Sequence, residues 1–163
     1  MSNLLEKASI VTTPTAYENG KILSVKPSVV LGEELVTNGD FSNGSADWTL
    51  GAGWSIGDSK VDAINAAFGS SFTQNMTVVP NTKYKVSFDV SDYVKGNFRF
   101  QIGNTSSSEI SSNGSFTFFL TSFNSSIVKI ETRAGGSGTT LSISNISVKE
   151  LIDGDFDFTR NSS

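Results

Sequence analysis

The stretch that decides the fold lies in the middle of the chain and reads Lys83-Tyr84-Lys85-Val86-Ser87-Phe88-Asp89-Val90. Its apolar side chains occupy every second position, and polar or charged side chains occupy the positions between them. A period of two is typical of a β-strand that buries one face and exposes the other. We therefore predict a strand over 83–90 in an antiparallel sheet with one solvated face.

Shorter stretches on both sides extend this pattern and are separated by turn signals such as Asn113-Gly114. The further predicted strands cover residues 35–37, 54–56, 60–64, 70–76, 97–103, 115–122, 127–133 and 139–149. No amphipathic helix pattern separates them, which disfavours a parallel sheet with crossover helices. The sequence therefore predicts an all-β fold, an antiparallel β-sandwich of the jelly-roll type, with an extended N-terminal arm.

The last predicted strand contains a change of phase. Leu141 and Ile143 occupy odd positions, whereas the apolar residues that follow Asn145 occupy even positions. One extra residue near Ser144-Asn145 would return all of them to the same face of the sheet. This pattern predicts a β-bulge.

Three zones divide the 163 residues. Residues 1–33 contain Pro14 and Pro27 and little periodicity, which is typical of an extended arm with one or two short strands. Such an arm cannot form its own core and must lie on the following domain, on a neighbouring subunit or on a larger assembly. Residues 34–150 form the predicted sandwich. In residues 151–163, Phe156 and Phe158 alternate with acids, so we expect a linker or the start of a further domain.

The composition narrows the classes of function. The chain has no His and no Cys, which removes the usual general base and thiol nucleophiles. A carboxylate pair such as Asp155 and Asp157 is the remaining route to catalysis, and its alternative is the solvated edge of a strand. We therefore predict no enzyme and no cofactor. The net charge of −4 and the lack of a basic run disfavour nucleic acid as a partner. No apolar stretch approaches the roughly 18 residues of a membrane span, and the N-terminus lacks a secretory signal pattern.

Three motifs follow one another in the chain: the Asn-Gly-Asp-Phe opening within residues 35–48, the Pro-turn-Tyr-x-Val-Ser-Phe strand of residues 80–88, and the closing strand of residues 143–148. In this order they resemble the carbohydrate-binding modules that bind xylans and glucans. The resemblance covers roughly residues 34–150 and implies the jelly-roll fold. It also implies sugar binding as an expectation, since one fold hosts many functions.

Trp48, Trp54 and Tyr93 are the candidate carbohydrate-binding residues, because flat aromatic faces stack on sugar rings. For both Trp residues the alternative is a place in the core near the first loop. Tyr93 falls at a strand end or in a loop, where exposure and burial are equally expected.

Three further residues are candidates for contacts or metal. Phe119 and Phe123 break the inward alternation of their strand and are predicted to contact another subunit; sugar contact and packing on the other face are the alternatives. The resemblance implies a structural calcium to which Asp40 would contribute. Ser144-Asn145 replaces the usual acid of the closing motif, which weakens that expectation.

Residues 2–27 and 154–163 resemble the ends of large structural proteins of marine and gut bacteriophages. The resemblance implies a virion location, with residues 1–33 bound to other virion proteins and a homotrimer as in fibres. We therefore expect a phage structural protein, a fibre base or surface appendage, whose sandwich contacts a host surface glycan. The alternative is a carbohydrate-binding module of a secreted polysaccharide-degrading enzyme.

Overall fold

The computed structural model describes residues 15–18, 21–24, 30–123, 127–136 and 138–152. Residues 31–151 form one compact unit. Before it, β1 (Thr15–Glu18) and β2 (Lys21–Ser24) form an antiparallel hairpin. The rest of the predicted arm before residue 30, and residues 153–163 of the predicted linker, lie outside the described residues. The described part contains no long apolar helix of the kind that spans a bilayer.

Two antiparallel sheets build the compact unit, which confirms the predicted β-sandwich. The five-stranded sheet has the strand order β10-β9-β12-β7-β4. Its strands are β4 (Thr49–Leu50), β7 (Ser71–Asn75), β9 (Phe98–Ile102), β10 (Thr105–Ser106) and β12 (Ile127–Thr132).

The six-stranded sheet has the order β11-β8-β13-β6-β5, with β3 also paired to β13. Its strands are β3 (Val30–Glu34), β5 (Trp54–Gly57), β6 (Lys60–Ala66), β8 (Lys83–Lys95), β11 (Gly114–Thr121) and β13 (Thr139–Ile152). Strands that are distant in sequence are neighbours in both sheets, as the jelly-roll prediction requires.

The core lies between the inner faces of the two sheets, and the alternation in β8 is as predicted. Tyr84, Val86, Phe88 and Val90 are all buried. Phe88 stacks on Phe100 of the opposite sheet, with ring centroids 5.6 Å apart. Burying aromatic rings of this size contributes strongly to stability through the hydrophobic effect.

The predicted bulge in β13 is confirmed. The register with β8 shifts between Ser144 and Ser147, and Asn145 adopts a φ of 53°. Asn tolerates this left-handed conformation better than most residues. As a result Ile143 and Ile146 are both buried despite their unequal parity.

The predicted strand at 35–37 is wrong. The strand β3 ends at Glu34 instead, and the chain then enters a turn in which Asn38 has a φ of 51°. Thr37 is held by Gln74, whose Nε2 donates to the Thr37 carbonyl at 2.8 Å and whose Oε1 accepts from the Thr37 amide at 3.0 Å. Side-chain bonds to one backbone residue replace the sheet ladder there.

The strand β11 is the terminal strand of its sheet. It pairs with β8 through eight residues, from Gly114 opposite Val90 to Thr121 opposite Lys83. Phe116, Phe118 and Leu120 face inward, whereas Phe119 is 58% exposed. The outward direction of Phe119 agrees with its break in the alternation.

Candidate functional site

Both tryptophans predicted to bind sugar lie in the core. Trp48 is 6% exposed and Trp54 is 7% exposed. Their rings surround Phe72, with centroids 5.2 Å and 4.7 Å from its centroid, respectively. Trp48 Nε1 donates to the Asn38 carbonyl at 3.0 Å. The alternative, a place in the core near the first loop, therefore describes their environment, and neither ring offers a free face for stacking.

Tyr93, near the end of β8, is half-buried against the core. Its hydroxyl donates to the Gly96 carbonyl at 2.9 Å, and its amide donates to Asn113 Oδ1 at 2.9 Å. These bonds fix the turn that leads to β9 and occupy the polar end of the side chain. Sugar binding by Tyr93 stays a prediction.

Phe119 and Phe123 are exposed to 58% and 53%, respectively. Phe119 lies opposite Lys85 on the outer face of the six-stranded sheet. Exposed phenyl rings suit the predicted subunit contact, which stays a prediction.

Asp40, the candidate calcium ligand, lies in an exposed turn. Its Oδ1 accepts hydrogen bonds from the amide and the hydroxyl of Ser42, at 3.2 Å and 2.9 Å, and these bonds hold its pKa below the usual value. The opening and closing motifs do meet, since the Ile146 amide donates to the Gly39 carbonyl at 2.9 Å. Within the described residues, however, no group of three or more acidic side chains is arranged to hold a metal.

A polar site that the sequence did not single out lies on the outer face of the five-stranded sheet. In β9 the apolar residues Phe98, Phe100 and Ile102 are fully buried, so Arg99 and Gln101 between them point to the other face. The pairing registers then place five outward residues in one row across the sheet: Ser106, Gln101, Lys129, Thr73 and Thr49. Each of them carries hydroxyl, amide or ammonium groups.

The neighbouring row on the same face contains two charged side chains. Arg99, Glu131 and Ser71 lie opposite one another on β9, β12 and β7. Arg99 donates from Nε and Nη2 to Glu131 Oε2 at 3.1 Å and 2.8 Å. Lys129 Nζ donates to Glu131 Oε1 at 2.7 Å, and Arg133 Nη1 lies 3.4 Å from Oε2. We call Arg99, Lys129, Arg133 and Glu131 the Glu131 cluster.

The electrostatics of the Glu131 cluster favour the carboxylate form. Burial raises the pKa of Glu131, but hydrogen bonds and charge from Lys129 and Arg99 outweigh it, and the net pKa lies below the usual value. The Glu131 side chain is 11% exposed, and the three cationic side chains are 27–32% exposed. Glu131 is therefore a carboxylate at neutral pH, and water screens its charge only in part.

At the end of this face the Glu131 cluster meets an exposed aromatic ring. The Arg133 guanidinium lies 4.6 Å from the centroid of the Phe68 ring. Phe68 is 57% exposed and lines a depression of about 490 Å³ together with Asn65, Ala67, Gly136 and Gly138. Arg133 thus connects an aromatic surface to the charged row, at the level where β12 ends.

Two buried polar atoms at this site have no hydrogen-bond partner among the described residues: Gln101 Oε1 and Arg133 Nε. Arg133 Nε lies 3.7 Å from Glu109 Oε1, which is within ion-pair range but too far for a hydrogen bond. Gln101 is held through its other end, since Nε2 donates to Ser106 Oγ at 2.9 Å. An unpartnered buried polar atom costs stability unless a water, an ion or a ligand serves as its partner.

Sequence reasoning missed this site because its residues are far apart in the chain. Arg99 and Glu131 are separated by 32 positions and meet only because β9 pairs with β12. The alternation around Phe98 and Phe100 did signal that Arg99 points outward. A single sequence does not predict the strand order that places Arg99 beside Glu131.

Comparison with solved structures finds carbohydrate-binding modules. A CBM4 module matches with a TM-score of 0.45 at 16% identity, over 73% of this chain and 95% of that chain. A mutant of CBM29-2, a family 29 carbohydrate-binding module, matches with a TM-score of 0.48 at 17% identity, over 79% and 93%. The secreted serine protease VesC from Vibrio cholerae matches with a TM-score of 0.45 at 14% identity, over 72% of this chain and 28% of that chain. No protein-family model and no curated protein matches the chain.

Proposed function

We propose that the sandwich is a carbohydrate-binding module that takes a glycan on the outer face of its five-stranded sheet. The observation that carries this proposal is that three features lie together on one face. They are a row of hydrogen-bonding side chains across five strands, the Glu131 cluster beside it, and the exposed Phe68 ring at its end.

Each feature matches a need of sugar recognition. A sugar ring has apolar faces of C–H groups, which an exposed aromatic ring can cover, and a rim of hydroxyls that must exchange bonds with water for bonds with protein. Phe68 supplies the first surface. Thr73, Lys129 and Ser106 supply donors and acceptors for the second.

The rigidity of the site supports the same proposal. The side chains of the row, and Arg99, Lys129 and Glu131 of the cluster, stand on paired strands. Ion pairs hold Arg99 and Lys129 in place before any ligand arrives. Groups that are already ordered lose less side-chain entropy on binding, which raises affinity. The proposal moves the expected sugar contact from Trp48 and Trp54 to Phe68.

The experiment compares two phenylalanines of equal exposure on a glycan array and in affinity gels. Phe68→Ala removes the ring of the proposed site, and Phe119→Ala removes an exposed ring from the outer face of the six-stranded sheet. We expect Phe68→Ala to weaken glycan binding by about 1–2 kcal/mol, roughly tenfold, and Phe119→Ala to leave it unchanged. Equal loss in both variants, or no glycan binding by the parent protein, would contradict the proposal.

The larger protein or assembly that carries the sandwich is a separate question from its ligand. A bacteriophage virion is supported only by the sequence resemblance of residues 2–27 and 154–163, which lie largely outside the described residues, and no phage protein is among the structures named above. A module of a secreted polysaccharide-degrading enzyme fits the comparisons at least as well. The predicted homotrimer can be checked by light scattering: a fibre requires three times the 17.3 kDa of the chain, and a monomer contradicts it.

A further inference from the structure

We infer that the glycan is acidic, with uronate carboxylates that bind the cations of the Glu131 cluster. This inference rests on the proposed function and names the class of ligand. It begins from a local imbalance of charge on a chain whose net charge is −4.

The Glu131 cluster contains more positive than negative charge. Three cationic groups lie within 3.4 Å of the carboxylate oxygens of one residue, Glu131. The nearest additional acid, Glu109, lies 3.7 Å from Arg133 Nε, and its side chain is 53% exposed. One carboxylate would suffice to fix one arginine. Gathering three cations around it costs mutual repulsion that water screens only in part, and a bound anion would relieve that repulsion.

The hydrogen-bonding capacity of the cluster is also incompletely used. Arg99 directs both Nε and Nη2 to a single oxygen, Glu131 Oε2. A guanidinium carries five N–H donors, so Nη1 keeps two that no described residue accepts. Lys129 has two further N–H groups beyond the one directed to Glu131. A carboxylate is the natural acceptor for such donors, because the planar guanidinium fork matches its two oxygens.

Because the exposed Phe68 ring lies next to these cations, the site suits a sugar acid better than an arbitrary anion. The Arg133 guanidinium lies over one face of this exposed ring, 4.6 Å from the ring centroid. A uronate residue presents an apolar ring face and a carboxylate on one small unit. It would cover Phe68 with the ring face while its carboxylate reaches the cations of the cluster.

The test is affinity electrophoresis of the full chain in gels that contain polygalacturonate, dextran sulfate or neutral hydroxyethylcellulose. Lys129→Gln removes one cation from the cluster. Lys149→Gln removes the same charge from the outer face of the six-stranded sheet and is the matched control, since Lys149 lies opposite Lys85 there. Arg99→Lys keeps the charge and removes the fork. Mobilities are referred to a gel without polymer, and a urea unfolding curve for each variant verifies that it is folded.

We expect retardation by polygalacturonate that exceeds retardation by both other polymers and weakens as salt is added. Lys129→Gln and Arg99→Lys should each lower the affinity about tenfold, whereas Lys149→Gln should change it less than about twofold. Retardation by hydroxyethylcellulose alone would overturn the acidic ligand but leave the proposed function standing. Equal retardation by dextran sulfate, or equal loss in Lys149→Gln, would show unspecific attraction to polyanions. No retardation in any gel would end both proposals.

Discussion

The two outer faces of the sandwich are built from strands with the same alternation, yet they distribute charge differently. On the five-stranded sheet, three cations converge on Glu131. On the six-stranded sheet, the Asp89 carboxylate accepts hydrogen bonds from two neutral groups. They are the hydroxyl of Ser115 and the side-chain amide of Asn145, the latter at 2.8 Å. A regular pattern in the sequence therefore determines which residues face outward, whereas strand order determines which outward residues meet.

The largest expected change in the free energy of unfolding distinguishes Glu131 from Asp89, the central acids of the two faces. Glu131→Gln leaves three partly buried cations without their carboxylate, and we expect it to lower the free energy of unfolding by about 2 kcal/mol. Asp89→Asn removes a charge from a half-buried position with neutral partners and should lower it by less than about 0.5 kcal/mol. Urea unfolding of both variants beside the parent measures the difference. Equal losses would mean that the two faces do not differ energetically.

Lowering the pH should reduce the stabilisation that the Glu131 carboxylate contributes to the fold. The pKa of Glu131 in the folded protein lies below its usual value of 4.5, because the hydrogen bonds from Lys129 and Arg99 outweigh the effect of burial. A carboxyl whose pKa is lowered by folding stabilises the fold fully above its unfolded pKa, and this stabilisation is lost as the pH falls through the folded pKa. The difference in melting temperature between the parent and Glu131→Gln should therefore be constant from pH 7 to 5.5 and shrink below about pH 4.5. A difference that persists unchanged at pH 2.5 would assign the effect of the substitution to packing.

A smaller effect is expected at the bulge on the opposite face. Asn145→Ala places alanine at a φ of 53° and removes the hydrogen bond to Asp89. We expect a loss of about 1 kcal/mol, since most side chains adopt this backbone conformation at a cost. Asn75→Ala is the control, an exposed asparagine in β7 without a positive φ. If the two substitutions cost the same in thermal unfolding, the bulge does not depend on Asn145.

Much of the fold followed from sequence because a period of two in apolar residues identified the longer strands. The positions 83–90 alternate without exception, and the phase change at Ser144-Asn145 located the bulge. The predicted strand 35–37 failed for a physical reason. The Leu35 amide still donates to the Val148 carbonyl, but the backbone of Thr37 bonds to the side chain of Gln74, which lies 37 residues away. Side-chain bonds over such distances leave no periodic trace.

The candidate site was much less accessible to sequence reasoning. Trp48 and Trp54 attracted the sugar-binding prediction through residue type, but apolar burial around Phe72 is the stronger demand on a large ring. Phe68 follows Ala66 and Ala67 just beyond the end of β6, without any alternation to show whether it points outward. Its significance arises from Arg133, 65 positions later, which only the folded chain brings to it.

The terminal position of β11 has a consequence for handling the protein. Sheet edges offer unpaired backbone groups to other chains, and proteins commonly protect them with lysine, proline or a bulge. From Gly114 to Thr121 this strand contains none of these, and it carries three phenylalanines. We expect concentrated solutions to aggregate through this edge unless a partner covers it. Thr117→Lys, on the exposed side of the strand opposite Ser87, is the change that should keep the protein dispersed without disturbing its core.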